Sequence, residues 1–573
     1  LVYSIGVGQS TQEAQLSRPS SVSAPVTSQL TLVEAADAVA AALPDRELVV
    51  QGDRRCTYAR VAEQSRRLAS YLHARGLGCH TERSALAGHE TGQDLLGIYA
   101  YNGPEYIEGM MGAFRARVAP FNVNYRYVES ELQYLLADSG ATALIYHAAF
   151  APRLAEVLPG LTALRVLIQI ADDSGNELLD GAVDYETVVA ATEPDTQLPQ
   201  AVPDDLYVLY TGGTTGMPKA VLWRQHDIFM AACGGRDNNT GAVIDSYSEV
   251  VARAEANPGV RLLLLPPMMH GAAQWAVLTA MTTGQTLVLP TVVDHVDAEE
   301  IVRTISRERA AVAIVVGDAM ARPLLAAIEK TSADVSSLVA LTSGGAVLSP
   351  QIKRRWIDAI PGLVVLDAVG ASETGAQMHH VSAAGSVSTG RFAAGADTCV
   401  VAEDFGSVLA AGHEGIGWLA QRRFTPLGYK GDAVKTAITF PLIDGMRFVI
   451  PGDRARRLAD GSIELLGRDS VTINSGGEKI FVEEVEMAIS SHPAVADVVV
   501  VGRPSERWGQ EVVAVVALSE GAEASDEDLI THAALSLARY KLPKHVVFRS
   551  EIVRSPAGKA DYRWAREQVI AAG

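Results

Sequence analysis

The chain has 573 residues, with 48 Lys and Arg against 67 Asp and Glu, and a formal charge of −19. That length is too great for one hydrophobic core and implies at least two domains. The acidic balance argues against nucleic acid as the main partner, because surfaces that track phosphate backbones are basic.

The composition, 48% hydrophobic and 20% charged, is that of a folded globular protein. Cys56, Cys79, Cys233 and Cys399 are far apart, with no CxxC pair. They do not make a disulfide scaffold, and they point to a reducing, cytoplasmic setting. Residues 1–30 are rich in Ser, Thr, Gln and Pro. They lack the charged-then-apolar order of a secretory signal and read as a flexible extension or an expression scar.

Residues 31–75 read as helical patterns around a short strand, Glu47–Gln51. Tyr58–Leu77 carries apolar residues at helical spacing and stops at Gly76 and Gly78. Asp94–Ala100 reads as a buried strand and Glu105–Arg117 as a helix. Short apolar runs follow at Leu144–His147, Val166–Ile170, Arg261–Pro266, Thr286–Pro290, Ala311–Val316, Val339–Thr342 and Leu363–Leu366. This strand–helix alternation predicts an α/β architecture with parallel sheets. No apolar run approaches the roughly 20 residues of a membrane span.

From about residue 400 the strands become shorter and turn-separated, at Gly417–Ala420, Met446–Val449 and Ser462–Leu466. After Arg468 come a glycine-rich segment, helix Val482–Ser490, strands Ala496–Val501 and Glu511–Ala517, and helix Asp526–Tyr540. The expected organisation is a large domain over 31–468, with a β-rich subdomain, and a small mobile α+β lid over 469–573.

The most informative stretch is Tyr207–Trp223, YVLYTGGTTGMPKAVLW. A short apolar strand runs into Thr211, Gly212, Gly213, Thr214, Thr215 and Gly216, then Met217, Pro218 and Lys219. Three glycines allow a tight turn that brings backbone N–H groups close to an anion. Threonine hydroxyls add donors, and Lys219 supplies a charge for the β/γ-phosphates of a nucleotide. The Gly-Lys-Ser/Thr ending of a Walker A loop is absent. A bare Gly/Thr-rich turn between strands would be an ordinary surface feature. The full string ending in Pro-Lys is more specific, and it resembles the phosphate signature of the acyl-adenylate-forming superfamily, of which acyl-CoA synthetases are a branch. Gly213 and Ala220 depart from the usual pattern without removing a charge.

The resemblance implies further motifs in order. Ser343, Gly344, Gly345 and Ala346 correspond to the loop lining the adenine pocket. Asp367, Ala368, Val369, Gly370, Ala371, Ser372 and Glu373 resemble the motif that ends in an acid for Mg²⁺. A carboxylate beside triphosphate suits that hard cation. Taken alone, Glu373 would be a solvated glutamate at a helix start. Val369 stands where an aromatic residue commonly packs on adenine. Asp453 in Pro451-Gly452-Asp453 resembles the ribose-binding acid; Gly431-Asp432 is a competing Gly-Asp that lacks the DGSIELLGRD continuation.

Arg468 and Asp469 then match a ribose or phosphate contact and the interdomain pivot, and Asn474–Lys479 matches the loop after it. The string around Ser470 mimics a carrier-protein attachment site, but no carrier segment follows. Lys559, in SPAGK, matches the C-terminal catalytic lysine. The segment Leu265–Trp275, LPPMMHGAAQW, resembles the wall beside the acyl pocket, which leaves two roles open for His270, gating the entrance or orienting the carboxylate; Gly271, Ala272 and Ala273 leave space, and Gly345 is a further substrate residue. His270 read alone is equally a packed loop histidine. The adjacent His379 and His380 lack a third ligand for a metal site.

The resemblance therefore implies ATP-dependent activation of a hydrophobic carboxylic acid, a medium- or long-chain fatty acid or a bulky steroid-type acid. Transfer to coenzyme A follows. Lys559 and Lys219 clamp the anions, with Thr211 beside them. Closest in look are actinobacterial fatty-acyl and steroid-side-chain CoA ligases. Two alternatives stay open: an acyl-AMP ligase loading a carrier protein, and a non-catalytic nucleotide-binding protein on the same fold. A homo-oligomer is also open.

Overall fold

The computed structural model describes residues 29–213, 216–237, 241–387, 390–475, 478–505, 509–554 and 560–572, and the side chains of these except at positions 212, 213, 216, 470, 474, 478 and 479. The expected extension over 1–30 therefore lies almost wholly outside the described residues. The architecture is mixed α/β, as the alternation implies. Among the described residues no helix is long and apolar enough to cross a membrane.

One sheet of 15 strands carries the parallel run Glu47–Gln51, Thr286–Leu289, Arg261–Leu264, Val312–Val315, Ala340–Gly344 and Val364–Ala371. It continues through Gly375–Ser382, Arg391–Ala394, Ile463–Arg468, Asp453–Arg457 and Gly417–Arg422 as antiparallel neighbours. A second sheet of eight strands has Gly216–Arg224 and Leu206–Gly213 beside Ala119–Asn122, Leu95–Tyr99, Ala143–His147 and Val166–Ile170. The C-terminal sheet is built from Ile473–Ser475, Glu478–Ile480, Val495–Ser505, Gly509–Leu518 and His545–Phe548.

Local chemistry explains the main helices. Helix Tyr58–Ala74 starts where the Thr57 hydroxyl accepts from the Arg60 N–H at 3.2 Å. It buries Tyr58, Val61, Ala62, Ser65, Leu68, Ala69 and Leu72, one face at helical spacing. Helix Pro104–Arg115 opens on a proline, whose missing N–H costs nothing there. All twelve of its residues are buried, so its polar groups need partners. Glu108 accepts from the Tyr185 hydroxyl at 2.6 Å, and Arg115 donates to Ser65 at 3.0 Å and to Asp37 at 2.8 Å.

Two sequence expectations change. The strand expected over Leu363–Leu366 runs on to Ala371 and turns back into Gly375–Ser382, so the acidic motif lies on a β-hairpin. The helix expected over Asp526–Tyr540 ends at Ala533. Apolar spacing does persist, with Leu529, Ala533 and Leu537 buried. The chain nonetheless leaves the helix to bring Lys541 onto Glu484 at 2.6 Å and His545–Phe548 alongside Gly509–Leu518. Tertiary pairing overrides the periodicity.

Candidate active site

The phosphate motif is a hairpin rather than a strand followed by a free loop. Thr211 faces Lys219 across the ladder and Gly213 faces Gly216. The tip residues Thr214 and Thr215 lie outside the described residues. Three contacts brace this hairpin. The Asn122 side chain donates to the carbonyl of Tyr210 at 2.8 Å and accepts from its N–H at 2.8 Å. The Tyr210 hydroxyl donates to Asp138 at 2.6 Å. The Trp223 indole donates to the carbonyl of Ser372 at 2.8 Å, which ties the phosphate hairpin to the acidic one.

Lys219 reaches out of the hairpin to Asp432, Nζ to Oδ2 at 2.7 Å. Asp432 also caps helix Ala433–Thr439 by accepting from the Lys435 N–H at 2.9 Å. The bond from Lys219 holds the Asp432 carboxyl below the usual carboxylate range. Three residues on, Lys435 lies over the Tyr429 ring, 4.9 Å from its centroid. Burial and the neighbouring Lys219 lower its affinity for a proton. The Tyr429 hydroxyl donates to Glu373 Oε1 at 2.8 Å. Burial, then the Glu373 charge, push that phenol far up, so it remains a donor.

Glu373 sits in the turn between Val364–Ala371 and Gly375–Ser382, not at a helix start. Its charge also faces Arg468, whose Nε lies 3.2 Å from Asp453 Oδ1. Asp453 and Arg468 are directly opposed in the ladder between Asp453–Arg457 and Ile463–Arg468. Asp469 follows at once and pairs with the buried Arg454 at 3.1 Å. A lysine, an acid with a phenol, and an arginine–aspartate pair thus meet from five separate strands and turns.

The next expected residues lie on two paired strands, Ala340–Gly344 and Val364–Ala371, and at their ends. Gly344 ends the strand Ala340–Gly344, and Gly345 follows with φ of 80°. Ser343 accepts from the Gly317 N–H at 3.1 Å, and the Ala346 Cβ packs against Gly317. Val369, Gly370 and Ala371 are strand residues of the acidic hairpin. Asp367 is occupied elsewhere: the fully buried Lys353 holds its carboxylate at 2.5 Å. Its carboxylate is thus joined to the helix Pro350–Ala359 that carries Lys353.

The segment Leu265–Trp275, expected beside an acyl pocket, is held by two asparagines. Asn102 donates to the Pro266 carbonyl at 3.1 Å and accepts from the Met268 N–H at 2.6 Å. Asn122 also donates to the Met269 carbonyl at 2.7 Å, so one side chain joins this segment to the phosphate hairpin. His270 is the N-terminal flank of helix Gly271–Thr283. A Cβ on Gly271 would stand 2.5 Å from Leu209 Cδ2, which explains the glycine.

Among known families, the AMP-binding enzyme family matches residues 36–426, and the AMP-binding enzyme C-terminal domain matches residues 484–559. This chain belongs to the AMP-binding enzyme family. The enzyme is 69% identical over 544 residues to the medium-chain acyl-CoA ligase Mig of Mycobacterium avium, covering 95% of this chain and 99% of that protein. It is 39% identical to the 3-oxocholest-4-en-26-oate–CoA ligase of Rhodococcus rhodochrous, over 92% of this chain and 93% of that one. Among solved structures it matches the anthranilate CoA ligase AuaEII in complex with anthranoyl-AMP, with a TM-score of 0.79 at 20% identity, covering 96% and 98% of the two chains. That likeness concerns the fold alone.

In this AMP-binding enzyme the structure brings together Thr211, Lys219, Glu373, Asp453 and Arg468 from the sequence expectations. Lys559 and the side chain of Lys479 lie outside the described residues. Asp432, Tyr429, Asn122 and Trp223 were missed. For Asp432 a signal existed, since Gly431-Asp432 competed with Gly452-Asp453 for the ribose role; the structure gives each aspartate its own cationic partner, Lys219 and Arg468.

Proposed function

We propose that this enzyme is an ATP-dependent acyl-CoA ligase for a hydrophobic carboxylic acid, medium-chain fatty acids first, acting in the cytoplasm. The observation that carries the reading is the meeting of Lys219, Glu373 and the Asp453–Arg468 pair, with Asn122 joining the hairpin of Lys219 to the segment Leu265–Trp275. The 69% identity to a protein named as a medium-chain acyl-CoA ligase supports the substrate class. A bulky steroid-type acid is the second reading, favoured by the 39% identical relative.

The chemistry sets the demand on the site. A carboxylate oxygen attacks the α-phosphorus of ATP, the α–β bridging bond breaks, and pyrophosphate leaves with the electron pair. Both reacting groups are anions, so cations must offset their repulsion. Lys219 steadies the β/γ-phosphates after exchanging Asp432 for them. The Asp453 carboxylate accepts from ribose hydroxyls while Arg468 holds it in place. Lys559 bridges the acyl carboxylate and the α-phosphate.

Mg²⁺ fits the donor set, because Glu373 is a carboxylate spending one hydrogen bond on a neutral phenol and keeping further lone pairs for a hard cation. Once bound, the ion would neutralise charge on the phosphates. In the second half-reaction the sulfur of coenzyme A attacks the acyl carbon and AMP leaves. We place a pivot at Asp469 between a unit over 31–468 and one over 469–573, so that the C-terminal unit turns between the two steps.

The test is a panel of carboxylic acids scored by AMP release with coenzyme A, and in parallel with a holo-carrier protein. Turnover of octanoate-like acids with coenzyme A is the expected result. Carrier-only turnover would move the assignment to an acyl-AMP ligase. No acid-dependent AMP release would leave a nucleotide-binding protein.

A further inference from the structure

Helix Val482–Ser490, the first helix of the C-terminal unit, carries Glu483 and Glu486. Glu486 accepts from the Val500 N–H at 2.8 Å within its own sheet. Glu483 points the other way, across to the end of the strand Ile463–Arg468. Its Oε1 accepts from the Arg468 N–H at 3.3 Å. Its Oε2 is buried and has no hydrogen-bond partner among the described residues. Gly467, at φ of 118°, exists to admit this carboxyl: a Cβ there would stand 2.1 Å from Oε2. The residue one step along is Arg468, the guanidinium that holds Asp453.

We propose that Glu483 is a positioning residue for adenylate formation, fastening helix Val482–Ser490 to the Gly467–Arg468 strand end and so setting where Arg468 stands beside Asp453. The inference rests on the reading of Asp453 and Arg468 as nucleotide contacts. Glu483 touches neither substrate nor reacting atoms in this arrangement. It acts through the backbone of Arg468, and it joins the C-terminal unit to the ATP site at the point where the pivot residue Asp469 begins.

The environment gives this contact a pH signature. The charged and titratable groups facing Glu483 are Asp453 and Arg468 from the neighbouring strands, Glu486 from its own helix, and Tyr562 from helix Tyr562–Ala571. Burial, with Asp453 adding to it against Arg468 and two backbone N–H groups, pushes the Glu483 carboxyl up to about 7. An acid raised in the docked arrangement holds more protons there than it does in solvent. Docking is therefore fully favoured below the ordinary carboxylate range. It weakens as pH rises towards about 7, and levels off above that.

The experiment measures KM for ATP by pyrophosphate exchange in the full-length enzyme, from about pH 6 to about pH 8.5, for wild type, Glu483→Gln and Glu483→Ala. Glutamine keeps the shape and the acceptor oxygen but cannot ionise. The ratio of wild-type KM to that of Glu483→Gln is expected to rise about threefold or more across the range. Glu483→Ala is expected to raise KM for ATP about fivefold while transfer from supplied acyl-adenylate to coenzyme A changes less than about twofold. Parallel pH profiles in wild type and Glu483→Gln would overturn the proposal, even if the alanine variant fails to fold. Equal loss of both half-reactions in a folded Glu483→Ala would also overturn it. Asp453→Ala and Arg468→Ala separate the layers. If both leave KM for ATP unchanged, the nucleotide reading of that pair has failed; if both raise it and the Glu483 variants do not, only the present proposal has failed.

Discussion

Lys219 Nζ lies 2.7 Å from Asp432 Oδ2, across 213 positions of sequence. Both side chains are more than a third or about a third exposed, at 39% and 33%, and pairs of that kind contribute about 0–1 kcal/mol. A nucleotide triphosphate can therefore displace the aspartate at small cost. Asp432→Asn keeps the helix cap, since asparagine caps as well as aspartate, and removes the competing charge. KM for ATP in pyrophosphate exchange is expected to fall about two- to fivefold, whereas Lys219→Ala raises it about tenfold or more. A rise in the Asp432→Asn variant would show that the aspartate helps to hold the phosphates.

The Tyr429 hydroxyl orients Glu373 at 2.8 Å. A hydrogen bond to a charged group contributes about 1.5–3 kcal/mol. Tyr429→Phe leaves Glu373 charged but less well held. The Mg²⁺ concentration giving half-maximal activity is expected to rise about three- to tenfold, with kcat at saturating Mg²⁺ nearly kept. An unchanged Mg²⁺ titration would remove the cation role from Glu373.

Gly271 abuts the buried Leu209, whose Cδ2 would stand 2.5 Å from a Cβ on Gly271. Gly271→Ala is expected to cost about 1–2 kcal/mol, the usual scale of overpacking, read as a lowered Tm. The added methyl also narrows the segment assigned to the acyl wall, so the acid preference should shift to shorter chains. A lowered Tm with an unaltered acid profile would place Gly271 in the packing and outside the pocket.

Lys559→Ala is expected to lose adenylate formation by about a hundredfold or more while keeping most of the transfer from supplied acyl-adenylate to coenzyme A. Rapid-quench measurement of each half-reaction separates the two. Equal loss in both would end the assignment of Lys559 to the first step alone.

Glu108 predicts a stability profile. Burial pushes its carboxyl up to about 7 against the bond from Tyr185. The folded state thus binds more protons at this site than the unfolded state. The contribution to stability is largest below the ordinary carboxylate range and declines as pH rises to about 7. Glu108→Gln stays neutral, so its Tm relative to wild type should be higher at about pH 8 than at about pH 5. A pH-independent difference would refute the raised carboxyl.

Much of the site was legible in one dimension because its chemistry is contiguous. A loop that wraps phosphate needs its glycines, threonines and lysine within a few positions, and Tyr207–Trp223 has them. The strings around Glu373, Asp453 and Arg468 are equally local, and strand–helix alternation announced the parallel sheets. The pairings were not legible. Nothing in the spacing of Lys219 and Asp432, of Glu373 and Tyr429, or of Arg468 and Glu483 tells which side chains meet. Sheet order decides that, and the sheets here place Asn122 between Tyr210 and Met269, and the Gly428–Tyr429 strand against Gly216–Arg224. The sequence by itself determined the groups that can clamp anions. Tertiary structure alone decided which counter-charge each of them holds, because partners distant along the chain are chosen by packing and strand pairing and leave no periodic mark on the residues between them.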